Sequence, residues 1–175
     1  MPHLITGGAR SGKSRHAEDL ARRHGGPVCY LATAEVRDAE FARRVALHRA
    51  QRPAHWRVAE AGRGLAAIIA AHDAPGGLLL IDCLGMWLMR FFGEAGFDAA
   101  EYESERDALL AALDGASGEV LLVSNEVGWG VVAGDAETRR FVDELGRLNQ
   151  LAASHCGRVT LVACGLPLVL KEVGA

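Results

Sequence analysis

Lysine is nearly missing from this 175-residue chain: of its 19 basic residues only Lys13 and Lys171 are lysines. Neither fits the N-K-x-D guanine motif, so the chain is not a switch GTPase of the usual kind. The four cysteines, Cys29, Cys83, Cys156 and Cys164, form no C-x-x-C pair. That argues against a zinc site or a disulfide frame and for reduced core residues of a cytoplasmic protein. No apolar run approaches the eighteen or so residues that a membrane helix needs, and no membrane span is expected. The first residues lack a charged segment followed by a long apolar one, so no leader is expected either. A formal net charge of −3, with arginines scattered along helices, gives no electrostatic footprint for nucleic acid. Repeats, low-complexity segments and linkers are absent, and the length suits one domain, residues 1–175, with a sizeable core.

What is present alternates. Strand candidates are His3–Thr6, Val28–Ala32, Trp56–Ala59, Leu78–Asp82, Val120–Asn125 and Val159–Cys164. Between them lie helical stretches at Lys13–His24, Asp38–Gln51, Leu65–His72, Cys83–Phe92, Tyr102–Leu113 and Asp135–His155. Strands such as LLLI and VLLV are apolar throughout, which fits a parallel sheet buried on both faces by helices. Such alternation predicts a single α/β unit. Loops are expected at 93–98 and 128–135, the second glycine-rich and placed after a strand end, where substrate loops occur.

The first strand runs into GGARSGKS, which matches G-x-x-x-x-G-K-[ST] from Gly7 to Ser14. Strand, glycine loop and helix in that order place free backbone N–H groups and a positive dipole end against phosphates. Gly7, Gly8, Ala9, Arg10, Ser11, Gly12, Lys13 and Ser14 are therefore the expected cradle, and the fold expected is a P-loop NTPase-like (RecA-like) α/β domain with a largely parallel sheet. In an arginine-rich chain, a lysine inside that loop suits a compact charge reaching between phosphate oxygens. Lys13 should reach the β- and γ-phosphates, and the Ser14 hydroxyl should ligand Mg²⁺. Asp82 ends a buried strand, where its carboxylate can complete the Mg²⁺ shell or simply cap a turn.

In DAEFARRVALHRAQRPAHW, Phe41, Val45 and His48 fall on one helical face, with Arg44, Arg49 and Arg52 nearby. A histidine so placed can be an ordinary core residue. Surrounding cations instead favour a neutral, nucleophilic imidazole and can hold a triphosphate. Glu60 closes HWRVAE as a solvated strand end or as a carboxylate that reads guanine through N1–H and the 2-amino group. Asn125 and Glu126 follow another strand end, where α/β sheets build their sites. Arg139, Arg140, Asn149 and Gln150 read as the solvated face of a helix whose core stripe is Phe141, Leu145, Leu148 and Ala152.

Taken together, TGGARSGKSRHAE, YLATAE, the H-R-x-x-R-P-A-H-W segment, LLLIDCLGMWL, VSNEVGWGVV, RRFVDELGRLNQ and GLPLVLK run in order across nearly the whole chain. The sequence resembles the bifunctional adenosylcobinamide kinase/adenosylcobinamide-phosphate guanylyltransferase family of cobalamin biosynthesis. That resemblance implies phosphorylation of the aminopropanol hydroxyl of adenosylcobinamide, then transfer of GMP from GTP to give adenosylcobinamide-GDP. It implies a histidine carrier of GMP, matching His48 here, with Lys13 as a second catalytic residue. It further implies a nucleotide site at Gly7–Ser14, Ala32, Thr33, Ala34, Arg49, Ala50, Gln51, Arg52, Glu60 and Asp82. GTP or ATP is the expected donor, Mg²⁺ at Ser14 and Asp82 the expected cofactor, a corrinoid the expected partner, and a homotrimer the expected assembly. Against the family pattern, Gly85 and Arg90 stand where Thr and Asn are usual, Ala133-Gly134 where Pro-Glu is, and Val142 where Arg is. Two rivals stay open on the residues alone: a P-loop kinase for another small alcohol, and a nucleotide-sensing module without turnover.

Overall fold

In the computed structural model the described residues are 1–35, 43 and 52–173. Of the helix expected over Asp38–Gln51, all but Arg43 lies outside them, including Phe41, Arg44, Val45, His48, Arg49, Ala50 and Gln51.

Seven strands form one sheet. They are β1 (His3–Thr6), β2 (Val28–Ala32), β3 (Arg57–Glu60), β4 (Leu78–Asp82), β7 (Glu119–Val123), β8 (Arg158–Ala163) and β9 (Leu166–Glu172). Two short strands, β5 (Phe92–Gly93) and β6 (Gly96–Phe97), pair separately as a hairpin. The order across the sheet is β3-β2-β4-β7-β1-β8-β9. Every neighbouring pair is parallel except β8 and β9, which run antiparallel. The described helices are α1 (Lys13–Arg23), α2 (Leu65–His72), α3 (Leu84–Leu88), α4 (Ala99–Asp114) and α5 (Ala136–His155), with a 3₁₀ turn at Met89–Phe91 after α3.

The uniformly apolar strands are explained by two cores, one on each face. Alternate residues Leu4, Leu31, Leu79, Ile81, Val120 and Leu122 pack with Leu65 and Ile69 of α2, Trp87 of α3, Tyr102 and Leu109 of α4, and Leu145 and Leu148 of α5. Their sequence neighbours Ile5, Val28, Tyr30, Leu80, Leu121 and Val123 turn the other way, onto Ala17 and Ala21 of α1 and onto Trp56. Both sets are buried because side chains alternate across a strand with a period of two.

Several boundaries differ from those expected. β3 begins one residue later than Trp56, whose backbone N–H instead closes a turn onto Pro53 while its ring is buried beneath the sheet. β7 ends at Val123, two residues earlier than expected, although Ser124 and Glu126 still donate their N–H groups to Ile5 and Gly7. The loop expected at 93–98 contains the β5–β6 hairpin, and GLPLVLK forms β9. Pro167 is tolerated there because β9 lies at the sheet edge.

Candidate functional site

Parallel strands bring β1, β2, β3, β4 and β7 to a shared carboxyl edge, where Thr6, Ala32, Glu60, Asp82 and Val123 stand at successive strand ends. From that edge the glycine loop turns into α1. Gly12, the residue before the helix, takes a left-handed backbone (φ 96°), and a Cβ there would meet Gly165 Cα at 3.2 Å. At Gly7 a Cβ would collide with the Val162 carbonyl oxygen. Both positions therefore require glycine. Gly165 donates its N–H to the Ser11 carbonyl at 2.8 Å, and Ser11 donates to Gly8 at 3.2 Å, so the loop is pinned from outside and within.

Helices α4 and α5 begin with Asp98 and Asp135, whose side chains accept from Glu101 and Thr138. Helix α1 has no capping side chain. Of its first-turn N–H groups, that of Lys13 donates to Ser11 Oγ at 3.4 Å; the others meet no capping side chain among the described residues, and the dipole favours an anion. Lys13 is only 8% exposed, and its Nζ donates to the Gly8 carbonyl at 3.1 Å. Among the described residues no carboxylate pairs with it. Lysine is rarely buried without a partner, and an ammonium held against one carbonyl beside free N–H groups is suited to phosphate oxygens.

Across the edge, the Tyr30 hydroxyl donates to Asp82 Oδ2 at 3.0 Å, and the Arg52 guanidinium lies 3.4 Å from the centroid of the Tyr30 ring. Burial, then the Asp82 charge, push the Tyr30 hydroxyl far above its usual range, so it stays a donor. Arg52 stacks while its Nε and Nη1, both buried, find no partner among the described residues. Buried donors of this kind fit a site that an anion completes. Tyr30 thus joins two expected residues, Arg52 and Asp82. It was not singled out because it lies mid-strand among apolar neighbours.

Thr33 is fully buried, with its hydroxyl donating to the Cys83 carbonyl at 2.8 Å and its own carbonyl accepting from Arg90 Nε at 3.0 Å. It anchors the segment Ala32-Thr33-Ala34 through its neighbours. Arg90, which departs from the family pattern, is therefore engaged in holding the strand-end loop. Gly85 has room for a Cβ, which would make ordinary contact with Leu145 at 3.5 Å. Glu60 is exposed at the end of β3, the strand farthest from the glycine loop on that side.

Asn149 corrects the expectation of a solvated face. It is 8% exposed, accepts from the Ser124 hydroxyl at 2.5 Å and donates to the Asn125 carbonyl at 3.0 Å. A cavity of about 590 Å³ opens beside this edge, with Met89, Phe92 and Phe141 as its apolar walls and Glu35, Glu94 and Glu137 among its polar ones.

A family model described as cobinamide kinase / cobinamide phosphate guanyltransferase matches residues 3–170. The chain belongs to this family. It is 48% identical over 171 residues to the bifunctional adenosylcobalamin biosynthesis protein CobP of Pseudomonas aeruginosa, covering 98% of each. It is 39% identical over 182 residues to the Salmonella typhimurium protein CobU, covering 98% of this chain and 100% of that one. Among solved structures, a Pyrococcus horikoshii protein superposes with a TM-score of 0.60 at 7% identity, over 99% of this chain and 87% of that one. A type III secretion ATPase of pathogenic bacteria gives a TM-score of 0.52 at 13% identity, over 96% and 56%. These two structures show the fold alone, an α/β architecture. Membership of the cobinamide kinase family and the glycine loop agree on nucleotide use. No described helix is long and apolar enough to cross a membrane.

Proposed function

We propose that the chain carries out the two reactions for which its family is described on one donor site, with His48 as the carrier of GMP. The hydroxyl of adenosylcobinamide takes a phosphoryl group from a nucleoside triphosphate. GMP then passes from GTP to His48 and on to that phosphate, giving adenosylcobinamide-GDP and pyrophosphate. The observation that carries this reading is a buried Lys13 that meets no carboxylate among the described residues, set at the start of a helix whose N-cap, Gly12, has no side chain to cap it.

The loop N–H groups, Lys13 and Arg52 hold the triphosphate and offset charge that develops on it during transfer. Ala32, Thr33, Ala34, Arg49, Ala50 and Gln51 complete the nucleotide's surroundings, and Glu60 supplies the acceptor for the guanine edge. A phosphoramidate on His48 divides one difficult displacement between anions into two easier ones. Ser14 and Asp82 offer hard oxygen donors suited to Mg²⁺, which takes few protein ligands and completes its shell with phosphate oxygens and water. Bound there, Mg²⁺ would supply charge neutralisation on the phosphates. The cavity walled by Met89, Phe92 and Phe141 receives part of the corrinoid, whose cationic ring and carboxamide donors suit the rim of Glu35, Glu94 and Glu137.

We also assign the protein to the cytoplasm, where its nucleotide substrates are and where Cys29, Cys83, Cys156 and Cys164, all unpaired, would stay reduced. β9 ends the sheet with Leu166, Leu168 and Leu170 more than half exposed, a surface that supports homo-oligomer assembly, with three copies as the state implied by the resemblance. The test of the histidine is covalent. Wild-type protein incubated with α-labelled GTP and Mg²⁺ should keep label after denaturation, and His48→Ala should keep none. Persistent labelling of the variant would overturn the assignment. Mass spectrometry of products from adenosylcobinamide with GTP should show first a phosphate and then a GDP adduct.

A further inference from the structure

We propose that Glu126 is the base that takes the proton from the acceptor hydroxyl in the kinase step, an assignment that rests on the kinase reading above. Glu126 follows β7, the strand that lies between β4, which ends in Asp82, and β1, which opens the glycine loop. Its backbone N–H donates to the carbonyl of Gly7, the first residue of that loop, at 3.0 Å. The backbone of Glu126 is thereby held beside the loop.

Its side chain is fixed as well. Oε1 accepts from the Thr6 hydroxyl at 2.8 Å and from Asn149 Nδ2 at 3.3 Å. Asn149 is held in turn by Ser124 and by the Asn125 carbonyl. Thr6, Ser124 and Asn149 are all buried, whereas Glu126 itself is half-buried. One carboxylate oxygen is therefore held from behind by buried donors, and Oε2 takes no donor among the described residues. A carboxylate oriented through one oxygen beside the glycine loop, with the other oxygen left without a donor, has the layout of a general base. Asp82 is less suited, since it accepts from Tyr30 and is the candidate metal ligand. Glu60 stands at the sheet margin.

In the step, the substrate oxygen forms a bond to the γ-phosphorus as its O–H bond breaks. The proton passes to Glu126 Oε2. The bond between the γ-phosphorus and the bridging oxygen breaks, and the nucleoside diphosphate leaves with that electron pair. Glu126 then returns its proton to solvent.

The guanylyl half does not need this base, because its acceptor is already an ionised phosphate. That difference gives the test. Glu126→Gln keeps an oxygen toward Thr6 and Asn149 but cannot take the proton. Its kcat for phosphorylating adenosylcobinamide should fall by about 100-fold or more, with KM for the triphosphate unchanged. Guanylylation of adenosylcobinamide phosphate supplied directly should continue at the wild-type rate. Glu126→Asp, which keeps the base on a shorter arm, should give an intermediate kinase rate. Wild-type phosphorylation by Glu126→Gln would overturn the proposal. So would equal loss of both activities in both variants, which would mark a structural role. If the wild-type protein phosphorylates no cobinamide but transfers GMP, the kinase reading itself fails and takes this assignment with it.

Discussion

The two edges of the sheet hold cavities of nearly equal size, about 590 Å³ beside the carboxyl edge and about 580 Å³ at the amino edge. Size therefore does not tell them apart; the state of their charges does. The amino-edge cavity is lined by His3, Arg23, His24, Glu119 and Arg158. Here Arg158 meets Glu172 at 3.2 Å with both side chains nearly half exposed, and His24 lies 3.6 Å from the exposed Glu119. Exposed pairs of this kind contribute little to stability and leave no unmet demand. At the carboxyl edge, among the described residues, Lys13 is buried without a carboxylate and two Arg52 nitrogens are buried without a partner. Satisfied, solvated charges mark a surface. Buried, unmet ones mark a place where a ligand completes the structure.

Substitutions at the two edges should therefore differ in kind. The largest effect is expected for Lys13→Met, which removes the buried cation from both reactions. Each turnover number should fall by roughly 100- to 1000-fold, the range for loss of one preorganised donor, while the thermal midpoint in the absence of nucleotide stays level or rises. Paired steady-state assays and thermal melts would check this, and a loss confined to one reaction would mean that the two do not share the clamp. A much smaller effect is expected for Arg23→Ala at the opposite edge. Both activities should stay within about twofold of wild type and stability should change by no more than about 0.5 kcal/mol. A large kinetic loss there would show that the amino-edge cavity also serves the reaction.

The smallest effect concerns pH. Burial, and after it Arg158 and His16, hold the His3 imidazole down to about 4 from an ordinary 6.5, and its Nε2 lies 2.8 Å from the Thr160 hydroxyl. The unfolded chain takes up a proton below 6.5 that the folded chain refuses until about 4. Stability from this group is thus whole above that window and is lost as pH falls through it. Partial solvent access keeps the amount small. Denaturation midpoints followed across the window should slope less in His3→Gln than in wild type. Equal slopes would assign the acid sensitivity to other groups.

The sequence made most of the sheet and the loop readable because both depend on local pattern. Apolar runs placed five of the strands within a residue or two, and GGARSGKS fixed its own turn through Gly7 and Gly12. What escaped was either too short or too distant in sequence. The β5–β6 strands have two residues each, below any period a pattern can show. β9 is apolar yet solvent-facing, with a proline, so it carries neither the alternation of a half-buried strand nor the burial of a central one. Thr6, Glu126 and Asn149 meet only after β1, β7 and α5 have been placed in three dimensions. Asn149 in particular looked like any polar residue on a helix, because its partners come from another element. The same holds for Tyr30, which joins Arg52 to Asp82 from inside an apolar strand.

The contact between Gly165 and Ser11 has a kinetic side. Phosphate-gripping geometry at the start of the sequence is finished by a turn near its other end, through one backbone hydrogen bond and a close approach at Gly12. Contacts of such long sequence separation form late, after the loop-closing entropy of everything between them has been overcome. Nucleotide affinity should then be among the last properties acquired on refolding and among the first lost on partial unfolding, ahead of the sheet itself. A triphosphate held by this loop should therefore tie the two ends of the sequence together and slow hydrogen exchange at the Gly165 amide.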